Sequence, residues 1–164
     1  MLYVSTSRKP SVLSRKLVRW LALLCGGMTE NRGKRSVFEC MQRAESKGFK
    51  RLAFVYEKHG NPSELAFFQG QWLNPVIEIQ SIAFPTEKKQ RVPKGLTANA
   101  VDEEGKKIVD LFTGGASGLE ETETGLVMQA GKKEIKFVYD GETVGPVIKV
   151  KSLKYFQQGD LSGE

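Results

Sequence analysis

Residues Leu52-Ala53-Phe54-Val55-Tyr56 form a nearly continuous apolar run. A strand with one wet face alternates apolar and polar side chains, whereas a strand covered on both faces does not need to. The run therefore predicts a central strand. Helices are available in the sequence before it. Leu13, Leu17, Trp20, Leu21 and Leu24 recur at helical spacing, with Arg15, Lys16 and Arg19 largely off that stripe. Pro10 and Ser11 favour its start, and Gly26-Gly27 its end. Ser36 and Glu39 then form a capping box for a second helix, with Val37, Cys40, Met41 and Ala44 apolar and Gly48 as its stop. Leu2-Tyr3-Val4 reads as a short first strand.

Beyond the central run, Lys58-His59-Gly60-Asn61-Pro62 reads as a turn, followed by strands at Leu65 to Phe68 and Val76 to Phe84. Pro85 to Pro93, with Lys88, Lys89 and Arg91 between the prolines, marks a boundary or exposed loop. Asp102 can cap a helix carrying Ile108, Val109, Leu111 and Phe112, which Gly114-Gly115 terminates. Leu126 to Gln129, Glu134 to Tyr139 and Val147 to Leu153 read as strands. The predicted order is β-α-α-β-β-β, a linker, then α-β-β-β. This is a mixed α/β chain of 164 residues in two parts, 1–84 and 94–164. The letters contain no repeat beyond a helix followed by strands.

Charge is distributed unevenly. Residues 1–59 hold 13 Lys/Arg and 4 Glu, a balance of +9, whereas residues 60–164 hold 12 Lys/Arg and 15 Asp/Glu, a balance of −3. The surplus suggests a polyanionic partner met by the first third of the chain. At 40% hydrophobic composition the chain can bury a real core, which excludes a purely solvating chain. Its one histidine, His59, and two cysteines cannot build a four-ligand Cys/His zinc site. Cys25 and Cys40 read as reduced, buried thiols. Leu21 to Cys25 resembles a lipoprotein cleavage signal, but Arg19 interrupts the apolar region and Leu24 is too bulky for its place. No stretch approaches the roughly 18 apolar residues of a membrane-spanning helix, so a cytoplasmic protein without membrane contact is expected.

Two constellations can carry chemistry. Ser5-Thr6-Ser7-Arg8-Lys9-Pro10-Ser11 precedes the first helix, with Arg15 and Lys16 one turn later. Asn31-Arg32-Gly33-Lys34-Arg35 precedes the second. Hydroxyls, cations and free backbone N–H groups at a helix start suit phosphate oxygens. The same residues also read as helix caps with solvated charges, and no P-loop glycine spacing is present. His59 reads as a structural turn residue, since no nucleophile accompanies it. Glu120, Glu121 and Glu123, between Gly118 and Gly125, read as a solvated loop rather than a metal or acid/base site. Trp20 and Trp72, with Phe67 and Phe68, offer stacking surfaces for bases, although Trp20 on its apolar stripe defaults to core packing.

Taken in order and spacing, Ser5 to Ser11, Asn31 to Lys34 and Glu57-Lys58-His59-Gly60-Asn61-Pro62 resemble the Brix domain of ribosome-biogenesis proteins, most closely its short archaeal members. The resemblance covers about 60 residues; later segments, including Gly145-Pro146-Val147, match only as a strand-rich pattern. It implies two halves similar to the anticodon-binding domain of certain aminoacyl-tRNA synthetases, sharing elements in one compact unit over 1–164. It also implies a role in ribosomal RNA processing or subunit assembly, without catalysis, metal or cofactor. Ribosomal RNA or its precursor, together with ribosome-assembly proteins, would be the partners. By motif position, Arg8, Lys9, Arg15, Arg32 and Lys34 become candidate RNA contacts, with Ser7, Lys16 and Arg35 beside them. The rival expectations are a scaffold docking an acidic protein, and a small enzyme acting on a phosphorylated ligand at the two basic loops.

Overall fold

A computed structural model describes residues 2–86, 92, 95–114 and 125–157. The elements are β1 (Tyr3–Thr6), α1 (Val12–Leu24), β2 (Met28–Thr29), α2 (Val37–Ser46), β3 (Leu52–Lys58), β4 (Asn61–Phe68), β5 (Val76–Ala83), β6 (Thr97–Ala100), α3 (Glu103–Thr113), β7 (Val127–Ala130), β8 (Glu134–Tyr139) and β9 (Glu142–Lys154). All nine strands form one mixed sheet in the order β2-β1-β3-β4-β5-β9-β8-β7-β6.

The apolar run becomes β3, whose residues Leu52 to Val55 are fully buried between parallel β1 and antiparallel β4. Successive side chains point to opposite faces of the sheet. Ala53 and Val55 join the larger core with Leu17, Val18 and Leu21 of α1. Leu52 and Phe54 join a second cluster with Val37, Cys40 and Met41 of α2. A helix on each face explains why the run does not alternate.

The chain repeats a topology that its letters conceal. The unit β1-α1-β3-β4-β5 has a parallel β1–β3 pair followed by antiparallel pairs, and β6-α3-β7-β8-β9 has the same plan. The last strands of the two units, β5 and β9, pair antiparallel from Val76↔Lys154 to Ala83↔Val147. The units share coverage. Phe112 of α3 packs edge-on against Phe67 of β4 at 5.1 Å. Trp20 and Leu24 of α1 lie against Gly145 of β9. Arg51 donates to the terminal carbonyls of α3, Asp110 O at 2.8 Å and Leu111 O at 2.9 Å.

Local chemistry sets the helix limits. The Ser11, Ser36 and Asp102 side chains each accept a backbone N–H of the first turn, and Glu39 completes a capping box with Ser36. Gly114 ends α3 in the left-handed conformation at φ 77.

Several expectations need correction. On α1 the buried positions are Ser14, Leu17, Val18, Leu21, Ala22 and Leu24, while Leu13 is exposed and Trp20 half-buried. Strands β2 and β6 lie outside the predicted set; one has two residues, and Thr-Ala-Asn-Ala, though alternating, consists mostly of Ala and Asn, which are poor strand formers. The turn after β3 is only His59-Gly60, at φ 54 and 78, a two-residue hairpin of the kind that needs positive φ at both positions. Asn61 and Pro62 already belong to β4, with Pro62 beside a bulge between Tyr56 and Glu57 where the ladder is irregular. Strand β9 runs through Gly145-Pro146 rather than starting at Val147. The predictions made for Lys88, Lys89, Arg91, Gly115, Gly118, Glu120, Glu121 and Glu123 lie outside the described residues.

Candidate nucleic-acid interface

Strands β2, β1 and β3 are adjacent and parallel, so the segments leaving them emerge at one end of the sheet. Those segments are 30–36 after β2, 7–11 after β1 and the hairpin after β3. The three sequence motifs lie in these segments and in the strand ends beside them, Ser5-Thr6 in β1, Glu57-Lys58 in β3 and Asn61-Pro62 in β4. In parallel α/β sheets this carboxyl end is where loops form ligand sites.

Specific bonds tie the motifs together. The Ser7 N–H donates to Val55 O at 3.1 Å, extending the β1–β3 ladder. The Ser11 N–H and the Ser14 hydroxyl both donate to Glu57 Oε2, at 2.8 and 2.7 Å. Burial pushes the Glu57 pKa up, but the Ser11 N–H and the Ser14 and Ser11 hydroxyls outweigh it and hold the carboxyl below its usual range. Glu57 is thus a built-in anion at the start of α1. At α2, the Ser36 and Glu39 side chains take the corresponding donors. At each helix start two N–H groups, those of Ser11 and Ser14 and those of Ser36 and Glu39, are therefore already taken by side chains.

Arg32 also departs from expectation. It is 1% exposed, with Nε donating to Arg35 O at 3.0 Å, Nη1 to Thr6 O at 3.5 Å, and its guanidinium 5.4 Å from the Phe54 ring centre. The enclosed guanidinium braces the 31–35 loop against β1 through Nε and Nη1, while its buried Nη2 has no hydrogen-bond partner. Arg35 is half-buried, donating through Nη1 to Asn31 O at 2.7 Å and lying 3.7 Å from Glu30. Glu30 gathers Tyr3, Arg43 and Lys47 as well, and the Arg43 hydrogen bond leads the causes that hold its carboxyl below the usual range.

The remaining candidates face water. Arg8, Lys9, Arg15 and Lys34 are exposed, and Ser7 is half-buried beneath Arg8 in sequence. Lys16 turns along α1, its Nζ 4.7 Å from the Phe84 ring centre, and does not join the loops. Lys58, exposed at the end of β3, was missed as a contact candidate. Its signal was the two-residue turn, which places the preceding side chain at the strand end. Phe67 and Phe68 are buried and offer no stacking surface; half-buried Trp72 packs on Phe54 and Phe68 at 5.8 and 5.3 Å. Cys40 is buried and Cys25 half-buried against the core, both free, and burial pushes the Cys25 thiol up to about 12. Among the described residues no group of His, Cys, Asp and Glu side chains could hold a metal ion, and no helix is long and apolar enough to cross a membrane.

A probable Brix domain-containing ribosomal biogenesis protein of Methanosarcina mazei is 31% identical over 157 residues, covering 86% of this chain and 92% of the relative. The chain belongs to the Brix domain-containing ribosomal biogenesis proteins. A second such protein, from Pyrobaculum aerophilum, is 30% identical over 118 residues, covering 67% of this chain and 65% of the relative. No family model matches the chain. Among solved structures, a probable ribosomal biogenesis protein from Aeropyrum pernix superposes with TM-score 0.71 at 22% identity, covering 91% of this chain and 94% of that one. An archaeal Imp4-like protein superposes with TM-score 0.74 at 21% identity, covering 95% and 100%. The Brix resemblance of the three motifs and the mixed α/β fold are both borne out.

Proposed function

We propose that this Brix protein acts in ribosome biogenesis by binding ribosomal RNA or its precursor, without catalysis. It would grip phosphates at the carboxyl end of β1, β2 and β3 and assist RNA processing or subunit assembly, in company with other assembly proteins. The observation that carries this reading is the set of exposed cations Arg8, Lys9, Arg15, Lys34 and Lys58, delivered to one end of the sheet by adjacent strands. Arg32, Glu57 and the capping box hold their loops in place. The proposed grip is by side-chain charge, which suits positioning along a phosphate backbone more than base readout. A non-enzymatic role is supported by the relatives, which are named as ribosomal biogenesis proteins.

The test is a salt titration of binding to a single-stranded ribosomal RNA fragment. Five phosphate contacts give a slope of log affinity against log salt of about −3.5, at roughly −0.7 per contact. Lys34→Ala and Lys58→Ala should each make it shallower by about 0.7. Lys132→Ala and Lys133→Ala, exposed between β7 and β8, serve as controls and should leave it unchanged. Equal slopes for site and control variants would reduce binding to diffuse charge and overturn the reading.

A further inference from the structure

Helices α1 and α3 hold corresponding places in the two units, and each buries one face in the large core. Their outward faces differ. On α3 the exposed positions are all charged: Glu103, Lys106, Lys107 and Asp110. On α1, Val12 is 72% exposed, Leu13 40% and Leu23 55%. With half-buried Trp20 they form an apolar stripe at helical spacing. The fold therefore does not require exposed apolar side chains at this place, since α3 fills the equivalent role without them.

The stripe contains a shaped feature. Lys16, Arg19, Trp20 and Leu23 line a groove of about 290 Å³. Gly145 of β9 lets the indole settle onto the strand, because a Cβ there would stand 3.2 Å from Trp20 Cε3. Lys16 and Arg19 supply positive charge at the rim, and α1 contains no Asp or Glu. Lys16, Arg19 and Trp20 taken alone would also suit nucleic acid, but exposed Val12, Leu13 and Leu23 gain free energy by covering apolar surface, which an amphipathic protein segment supplies and a phosphate backbone does not.

We propose that the outer face of α1 docks a short, acidic, amphipathic segment of a partner protein, with apolar side chains between Trp20 and Leu23 and carboxylates on Lys16 and Arg19. The groove, from Lys16 to Leu23, lies further along α1 than the 7–11 loop, and its reading stands independently of the RNA reading.

Display selection of random peptides on the full chain tests this without an assumed partner. The enriched peptides should combine apolar residues at helical spacing with Asp or Glu. Leu23→Asp and the pair Lys16→Glu/Arg19→Glu should weaken them about tenfold or more. Lys106→Glu on α3 should not weaken them. Leu23→Asp decides, because Leu23 is exposed and its change leaves the core intact, whereas truncating Trp20 also disturbs its seat on Gly145. Failure of peptides to enrich overturns the proposal, as does enrichment of peptides lacking acidic residues, or binding indifferent to Leu23→Asp. Weakened binding of an RNA fragment by Leu23→Asp, with no peptide enriched, would assign the groove to RNA and overturn it too.

Discussion

The Ser11 N–H donates to Glu57 Oε2 at 2.8 Å across 46 positions of sequence, joining the start of α1 to the end of β3. Ser14 adds its hydroxyl to the same oxygen. A carboxylate from a neighbouring strand thus does what an acidic residue in the first helical turn does elsewhere, and α1 has none of its own.

Replacing Glu57 should affect stability and binding in opposite directions. Glu57→Ala removes hydrogen bonds to a charged acceptor and should cost about 1–2 kcal/mol, read from urea unfolding at neutral pH. Glu57→Gln keeps the shape while removing a negative charge that acts on Arg15 in the first turn of α1. RNA affinity should then rise a few-fold, and an unchanged or lower affinity would place the phosphates elsewhere.

The same carboxylates give the fold an acid limit. Glu57 and Glu30 both have pKa values below their ordinary range in the folded chain. Their contribution is therefore fully present above the unfolded carboxylate value of about 4.3, and it is lost as pH falls through the folded values. Unfolding free energies measured from pH 7 down to pH 3 should decline, and Glu57→Gln should flatten part of that decline.

Arg32 and Lys34 sit two residues apart, one buried and one exposed, and the proposed reading gives them opposite roles. Arg32→Ala strips Thr6 O and Arg35 O of their donor and removes the cation from Phe54, which should cost about 2–3 kcal/mol. Lys34→Ala should leave the melting temperature unchanged and alter only the salt slope. Calorimetry beside the salt titration separates them. Equal melting temperatures for the two variants would contradict the bracing role of Arg32.

Residues 1–164 are proposed as one cooperative folding unit. Arg51 reaches α3, Phe67 packs on Phe112, and Trp20 packs on Gly145, so each unit leaves apolar surface bare without the other. A fragment of residues 1–87 should aggregate or melt without a sharp transition. A cooperative melt matching that of the full chain would refute this.

Much of this architecture is written locally. Ser11, Ser36 and Asp102 mark helix starts because a cap needs only the next few N–H groups, and His59-Gly60 marks its hairpin because the turn needs two positive φ values. Strands β2 and β6 were not legible, since their pairing depends on partners whose alignment exists only after folding. The exchange of coverage between α1 and α3 was implied only by family resemblance. At the site, the placement of Arg8, Lys9, Arg15 and Lys34 in loops was legible from charge and caps. The inward turn of Arg32 was not: between Asn31 and Gly33 it looks solvated, and only the fold brings Thr6 and Phe54 to it. Glu57 was legible as a motif residue, but its service to a helix whose Ser14 lies 43 positions earlier was not.

The sheet ends in β2, of two residues, and β6, of four. A sheet border offers unpaired backbone donors and acceptors to any extended chain that meets it, and the offer grows with border length. Brevity at both borders leaves almost nothing to copy. A nine-stranded sheet built this way gives a passing extended chain, or a second copy of itself, little border on which to add a strand.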